Sequence, residues 1–192
     1  MLSGRWKRHS TVWMVGAGLT AATLSGCIGA VDRADFEQEM RERGGGMTTA
    51  LVDDGFRQLA EHYQVNSLAV TSIDISPDTI MRVTVRDPDN LDQLDRFNFD
   101  GARLGDPSPV MVSVTDDLDA RSFTLDEIPA LRNVEMLVDD ALASSALEDG
   151  EVTGISVSRT ESVHAAVLVE SPRSRVLVVF DPSGTPTTVQ PL

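Results

Sequence analysis

The sequence is poor in the residues on which most recognisable chemistry is built. Cysteine occurs once, at position 27, which excludes an intrachain disulfide framework and any zinc site made of several cysteines. Lys7 is the only lysine, and 16 basic against 30 acidic residues give a net charge of −14. Nucleic acid is excluded as a partner, because neutralising phosphates needs clustered Lys and Arg and no basic stripe occurs. Aromatic residues make up 5% of the 192, and the two tryptophans, Trp6 and Trp13, both lie near the N-terminus, so the rest of the chain lacks the usual stacking platforms for sugars. What remains is enough for one medium domain or two small ones, with 41% apolar and 24% charged residues.

The N-terminus carries the most specific signal. Arg5, Lys7 and Arg8 precede an uncharged run from Thr11 to Leu24, the order of a secretory signal peptide. Fourteen residues are too few to span a bilayer, for which about 20 are needed. The run ends in Leu24-Ser25-Gly26-Cys27, which resembles a bacterial lipobox. The resemblance implies a diacylglyceryl group on the Cys27 thiol and cleavage just before it, so that residues 1–26 are a signal peptide and Cys27 is a tether, not a catalyst. Removing three basic residues and no acid leaves 13 basic, all arginine, against 30 acidic, a net charge of −17. Such a body gains nothing from anionic headgroups, so attachment to the outer face of the cell membrane rests on the lipid. Gly16-Ala-Gly18-Leu-Thr-Ala21 matches a dinucleotide fingerprint in letters only, since no strand precedes it.

Residues 27–46 read as anchor and flexible tether, charge-rich from Ile28 to Arg43 and closing on Gly44-Gly45-Gly46. No Lys-Ser/Thr follows these glycines, so they form no phosphate loop. Val52, Phe56, Leu59, Ala60 and Tyr63 then share one helical face, with Gly55 a weak point. Alternating runs at Leu68 to Ile75, Met81 to Val85, Phe97 to Phe99 and Val110 to Val114, broken by Pro, Asp and Gly, predict four strands. The order returns after Asp116-Asp117-Leu118-Asp119. Thr124 and Glu127 have capping-box spacing ahead of a helix expected from near Pro129 to before Gly150. Strand-like runs follow around Ile155, Val163 to Val169, Val176 to Phe180 and Thr187 to Val189. Arg82 to Pro88 answers Ala166 to Pro172, and Phe99-Asp100 answers Phe180-Asp181. The expectation is an α+β duplication: two repeats, 47–118 and 119–192, each one helix on a four-stranded antiparallel sheet, joined edge to edge or face to face.

This tandem plan, with strand ends of the form Phe-Asp-x-x-Gly, resembles the PepSY-like and beta-lactamase-inhibitor-like modules of secreted bacterial proteins over about residues 47–192. The resemblance implies a non-enzymatic module that binds or restrains other proteins. No binding residue carries over by motif.

The chemistry-bearing residues give no constellation. Beyond the signal peptide only His62 and His164 remain, neither in metal spacing nor beside a G-x-S-x-G elbow. His62 falls at the border of the helix's apolar face, and His164 points away from the face of Val163, Val167 and Val169. The carboxylates Asp53-Asp54, Asp87, Asp89, Asp92 and Asp95, and Asp116-Asp117 with Asp119 lack the glycine turn and bidentate Glu of a calcium loop. The expectation is therefore no enzyme, no cofactor and no metal, but a lipid-anchored extracytoplasmic binding module for a protein or envelope component. The alternatives are a carrier enclosing a hydrophobic ligand in an apolar cavity and a divergent hydrolase.

Overall fold

The computed structural model describes residues 45–192. The lipobox residues Leu24, Ser25, Gly26 and Cys27 lie outside them. The chain enters at the turn between the first two strands. Gly46 N–H donates to Pro77 O at 2.8 Å, and a Cβ on Gly46 would lie 2.9 Å from the Thr79 backbone. The last two residues of the expected tether are thus seated on the body, and Met47 is buried behind them.

Helix α1, Thr49–Tyr63, begins where the Thr48 side chain accepts from Leu51 N and ends at Gln64 in left-handed backbone. Strands β1 (Val70–Ser76), β2 (Ile80–Arg86), β3 (Leu94–Phe99) and β4 (Ser108–Val110) follow. A connector holds the short helix α2 (Leu118–Arg121) and two 3-10 turns, Leu125–Glu127 and Pro129–Asn133. Helix α3 is Val134–Ser145, and β5 (Glu151–Arg159), β6 (Val163–Ser171), β7 (Ser174–Phe180) and β8 (Pro186–Pro191) complete the chain.

The strands form one antiparallel sheet in the order β4-β3-β2-β1-β5-β6-β7-β8. This corrects the expectation of two repeats with one helix and one four-stranded sheet each. β1 and β5 pair from Ser72–Ser158 to Ile75–Ile155, and among the described residues three helices, not two, accompany the sheet. Pairing the two innermost strands satisfies backbone groups that each half would otherwise leave as an open edge. The core is shared accordingly. One buried row runs Phe97–Val83–Ile73–Val157–Ala165–Phe180 across the seam. Each Val, Ile or Phe side chain of this row contributes roughly 1.5–3 kcal/mol by leaving water.

Both longer helices cover the same face of this sheet, α1 over the β2 side and α3 over β5 to β8. Their N-termini are locked together: Thr49 N–H and Oγ1–H donate to the Glu135 carboxylate, and Thr49 Oγ1 accepts from Val134 N at 2.9 Å. The carboxylate also sits favourably at two helix N-termini.

Two local expectations are corrected as well. The Thr124–Glu127 capping box is present but opens a 3-10 turn; Pro129 starts a second such turn, and α3 begins only after Asn133, whose side chain accepts from Met136 N. The strand expected through Val114 stops at Val110, because β3 has no residue before Leu94 to pair with Val112. Met111 and Val114 project fully into solvent.

Gly55 marks the closest approach of α1 to the sheet: a Cβ there would lie 2.1 Å from Met81 Cε and 3.1 Å from Phe99 Cδ1. Gly55→Val is expected to destabilise the body by about 1–3 kcal/mol through overpacking, outweighing the gain in helix propensity. Urea unfolding checks this, and an unchanged midpoint would contradict the close packing.

Candidate functional site

The helices leave the second face of the sheet open among the described residues. Antiparallel pairing puts directly opposed residues on one face, so the register lays this surface out. One row runs Asn98–Arg82–Asp74–Ser156–Ala166–Val179–Thr188 from β3 to β8. Beside it, on one side, lie Arg96, Thr84, Ser72, Ser158 and His164; on the other side are Gly154, Leu168, Leu177 and Gln190. The face therefore changes character along its width. Arginines gather over β2 and β3, small polar residues occupy β1 and β5, and the aliphatic Ala166, Leu168, Leu177 and Val179 lie half-buried on β6 and β7.

The polar end is ordered by its own hydrogen bonds. Arg82 Nε donates to Asn98 Oδ1 at 3.2 Å, and Ser72 Oγ donates to Thr84 Oγ1 at 3.1 Å. Asp74 stands directly opposite Arg82. Burial pushes its carboxyl above the usual range, and the charges of Arg82 and Arg96, which pull the other way, only partly offset this. Arg86, farther along β2, is engaged by Asp119 Oδ1 and Leu91 O. At the margin of the aliphatic end Arg175 pairs with Glu170 at 3.0 Å.

The residues singled out in the sequence do not converge. His62 is exposed on the last turn of α1, with its ring edge-to-face on Tyr63 and Phe97 at 4.9 and 5.2 Å between centroids. Tyr63 donates to Asp95 Oδ2 at 3.2 Å, and burial, with the Asp95 charge, pushes its hydroxyl pKa up. His164 lies on the open face, with Nδ1 3.2 Å from Ser162 O. The two histidines thus sit on opposite faces of the sheet. Among the described residues neither bonds a serine hydroxyl or a carboxylate, and no group of three or more His, Cys, Asp or Glu could hold a metal ion.

The acidic clusters build turns and caps. Asp87 Oδ1 accepts from Asp89 N, Asp117 caps α2 through Ala120 N, and Asp116 accepts from Ser113 N. Asp181 Oδ1 accepts from Ser183 N, Ser183 Oγ and Thr185 N, and these bonds hold its carboxyl below the usual range. Asp100 does the same for Ala102 N and Arg103 N. A shallow cleft of about 600 Å³ lies beside Arg86 and the loop from Val112 to Asp119. Its acids are largely spent on those local bonds, and it is open to solvent.

No family model matches the chain, and no curated protein matches it. Among solved structures, a candidate lipoprotein from Clostridium difficile 630 superposes with a TM-score of 0.58 at 12% identity, covering 73% of this chain and 92% of that one. What the two share is the fold. A candidate periplasmic protein from Bacteroides eggerthii DSM 20697 is also matched, at 18% identity over 72% of this chain and 87% of that one, but with a TM-score of 0.27.

The half-buried carboxyl on the open face gives a pH signature. A carboxyl whose folded pKa is raised opposes folding once it ionises, so its cost is absent below the unfolded value and is fully felt above the folded one. Asp74→Asn is therefore expected to raise stability at neutral pH and to change it little near about pH 3, where the carboxyl is protonated in both states. Urea unfolding at the two pH values measures the difference. Destabilisation at neutral pH would mean that the pairing of Asp74 with the arginines outweighs its burial.

Proposed function

We propose that this chain is a lipid-anchored, extracytoplasmic binding module without catalytic activity, which engages a protein or other envelope component through the open face of its sheet. One observation carries the reading: the face runs in register from β3 to β8, with charged, small and aliphatic zones in sequence, and no helix of the described residues covers it. The Leu24-Ser25-Gly26-Cys27 segment supports the location, as does a fold shared with a candidate lipoprotein. No helix of the described residues is long and apolar enough to cross a membrane, so lipid on Cys27 would supply the attachment.

The enclosed-cavity carrier is less favoured. Between the helices and the sheet the space is filled, with Val52, Leu59, Ile73, Leu137, Val138 and Phe180 each 2% exposed or less. A hydrolase would need a histidine beside serine and aspartate, and His62 and His164 have other neighbours.

Metabolic labelling with palmitate and membrane fractionation test the anchor. The wild-type chain is expected in the membrane fraction carrying label, and Cys27→Ala is expected to lose both, because no helix of the described residues is long and apolar enough to replace the lipid. A Cys27→Ala protein that stays labelled and membrane-bound would overturn the assignment.

A further inference from the structure

The open face has a direction, and its chemistry changes along that direction. Arg82 and Arg96 sit diagonally on β2 and β3, Arg82 opposite Asn98 and Arg96 opposite Thr84. Four strand spacings away, roughly 19 Å at about 4.8 Å per strand, Val179 lies in the same row as Arg82, next to Leu177 and Leu168. The strands between carry the small residues Ser76, Ser72, Ser156, Ser158 and Gly154, with Asp74 beside Arg82 in the same row. Two arginines on one patch are notable in a chain with 13 basic and 30 acidic residues after the signal peptide.

We propose that this face binds a long-chain anionic amphiphile, its headgroup on Arg82 and Arg96 and its acyl chain laid across β1 and β5 onto Leu168, Leu177 and Val179. The inference rests on the reading of the face as a binding surface and names what that surface takes. Charge complementarity selects the headgroup: guanidinium groups bind carboxylate or phosphate oxygens through charge-assisted hydrogen bonds. Asp74 opposes the same headgroup, but it is one carboxylate against the two guanidinium groups of Arg82, directly opposite it, and Arg96 on the next strand.

The aliphatic end favours an acyl chain over a protein. It holds no aromatic side chain and spans two strands, whereas protein interfaces centre on buried Trp, Tyr and Arg anchors over about 800 Å² per partner. A second copy is disfavoured by the net charge of −17 on each body.

The test uses the chain from residue 27 with Cys27→Ser, so that no attached lipid competes, and titrates palmitate, octanoate and lysophosphatidylcholine below their micelle concentrations. Palmitate is expected to bind at one site, with octanoate and the zwitterionic lipid each weaker by about tenfold or more, that is about 1.4 kcal/mol. Arg82→Gln with Arg96→Gln is expected to weaken palmitate by about tenfold, the order of a lost charge-assisted bond. Leu168→Asn with Leu177→Asn should abolish the preference for palmitate over octanoate, and Asp74→Asn should tighten binding. Arg82→Gln alone, at an exposed position, keeps the test sound if a double variant fails to fold.

Absence of palmitate binding, or binding that no face variant alters, would overturn the proposal. So would a dimer seen by light scattering that Leu168→Asn with Leu177→Asn dissolves, since the face would then be a self-interface. A photo-crosslinker at position 177 in intact cells separates this failure from that of the broader reading. An envelope-protein adduct without palmitate binding removes the amphiphile but leaves the binding module, and neither signal removes both.

Discussion

The fold turns on the pairing of β1 with β5. Four residue pairs, from Ser72–Ser158 to Ile75–Ile155, turn two four-stranded meanders into one eight-stranded sheet. Without them Ile73 and Val157 would border open edges, and each half would have to build a core from one helix and few aromatic residues, a marginal prospect at that size. With them the core is continuous from Phe97 to Phe180. The Thr49–Glu135 lock repeats the join on the helix layer. The same seam makes the opposite face continuous, so Arg82 and Val179 fall on one line although 97 positions separate them in the chain.

Much of the local structure was legible in the sequence for a physical reason: faces have periods. The helical face of Val52 and Leu59, the alternation around Val83 and Val167, and the aspartates that open turns after Phe99 and Phe180 all appear where the periodicity puts them. Neighbourhood has no period. Alternation shows that Ile73 and Val157 point inward, but not that they are partners, and the two-repeat expectation failed at that step. Alternation also continued past its partner at Val112 and Val114, and Pro129 delayed α3 despite a correctly placed capping box.

The open face was only partly legible. Its polar side follows from alternation, as expected for a sheet with one wet face. Its aliphatic end was signalled by β6 and β7, where Ala165 to Val169 and Val176 to Val179 are apolar at both parities. Unbroken apolar runs of this kind indicate strands that bury something on each side. The histidines and acidic clusters have local roles: His62 and His164 sit on opposite faces, and the acids mostly cap turns and α2.

Amide hydrogen exchange across the seam shows whether the eight strands open together. If the sheet is one cooperative unit, the amides hydrogen-bonded between Ser72–Ile75 and Ile155–Ser158 exchange with the slowest group in the protein and only through global unfolding, at the same free energy as those of β2 and β6. Seam amides that open at markedly lower free energy, while β2 and β6 stay protected as two separate groups, would contradict it.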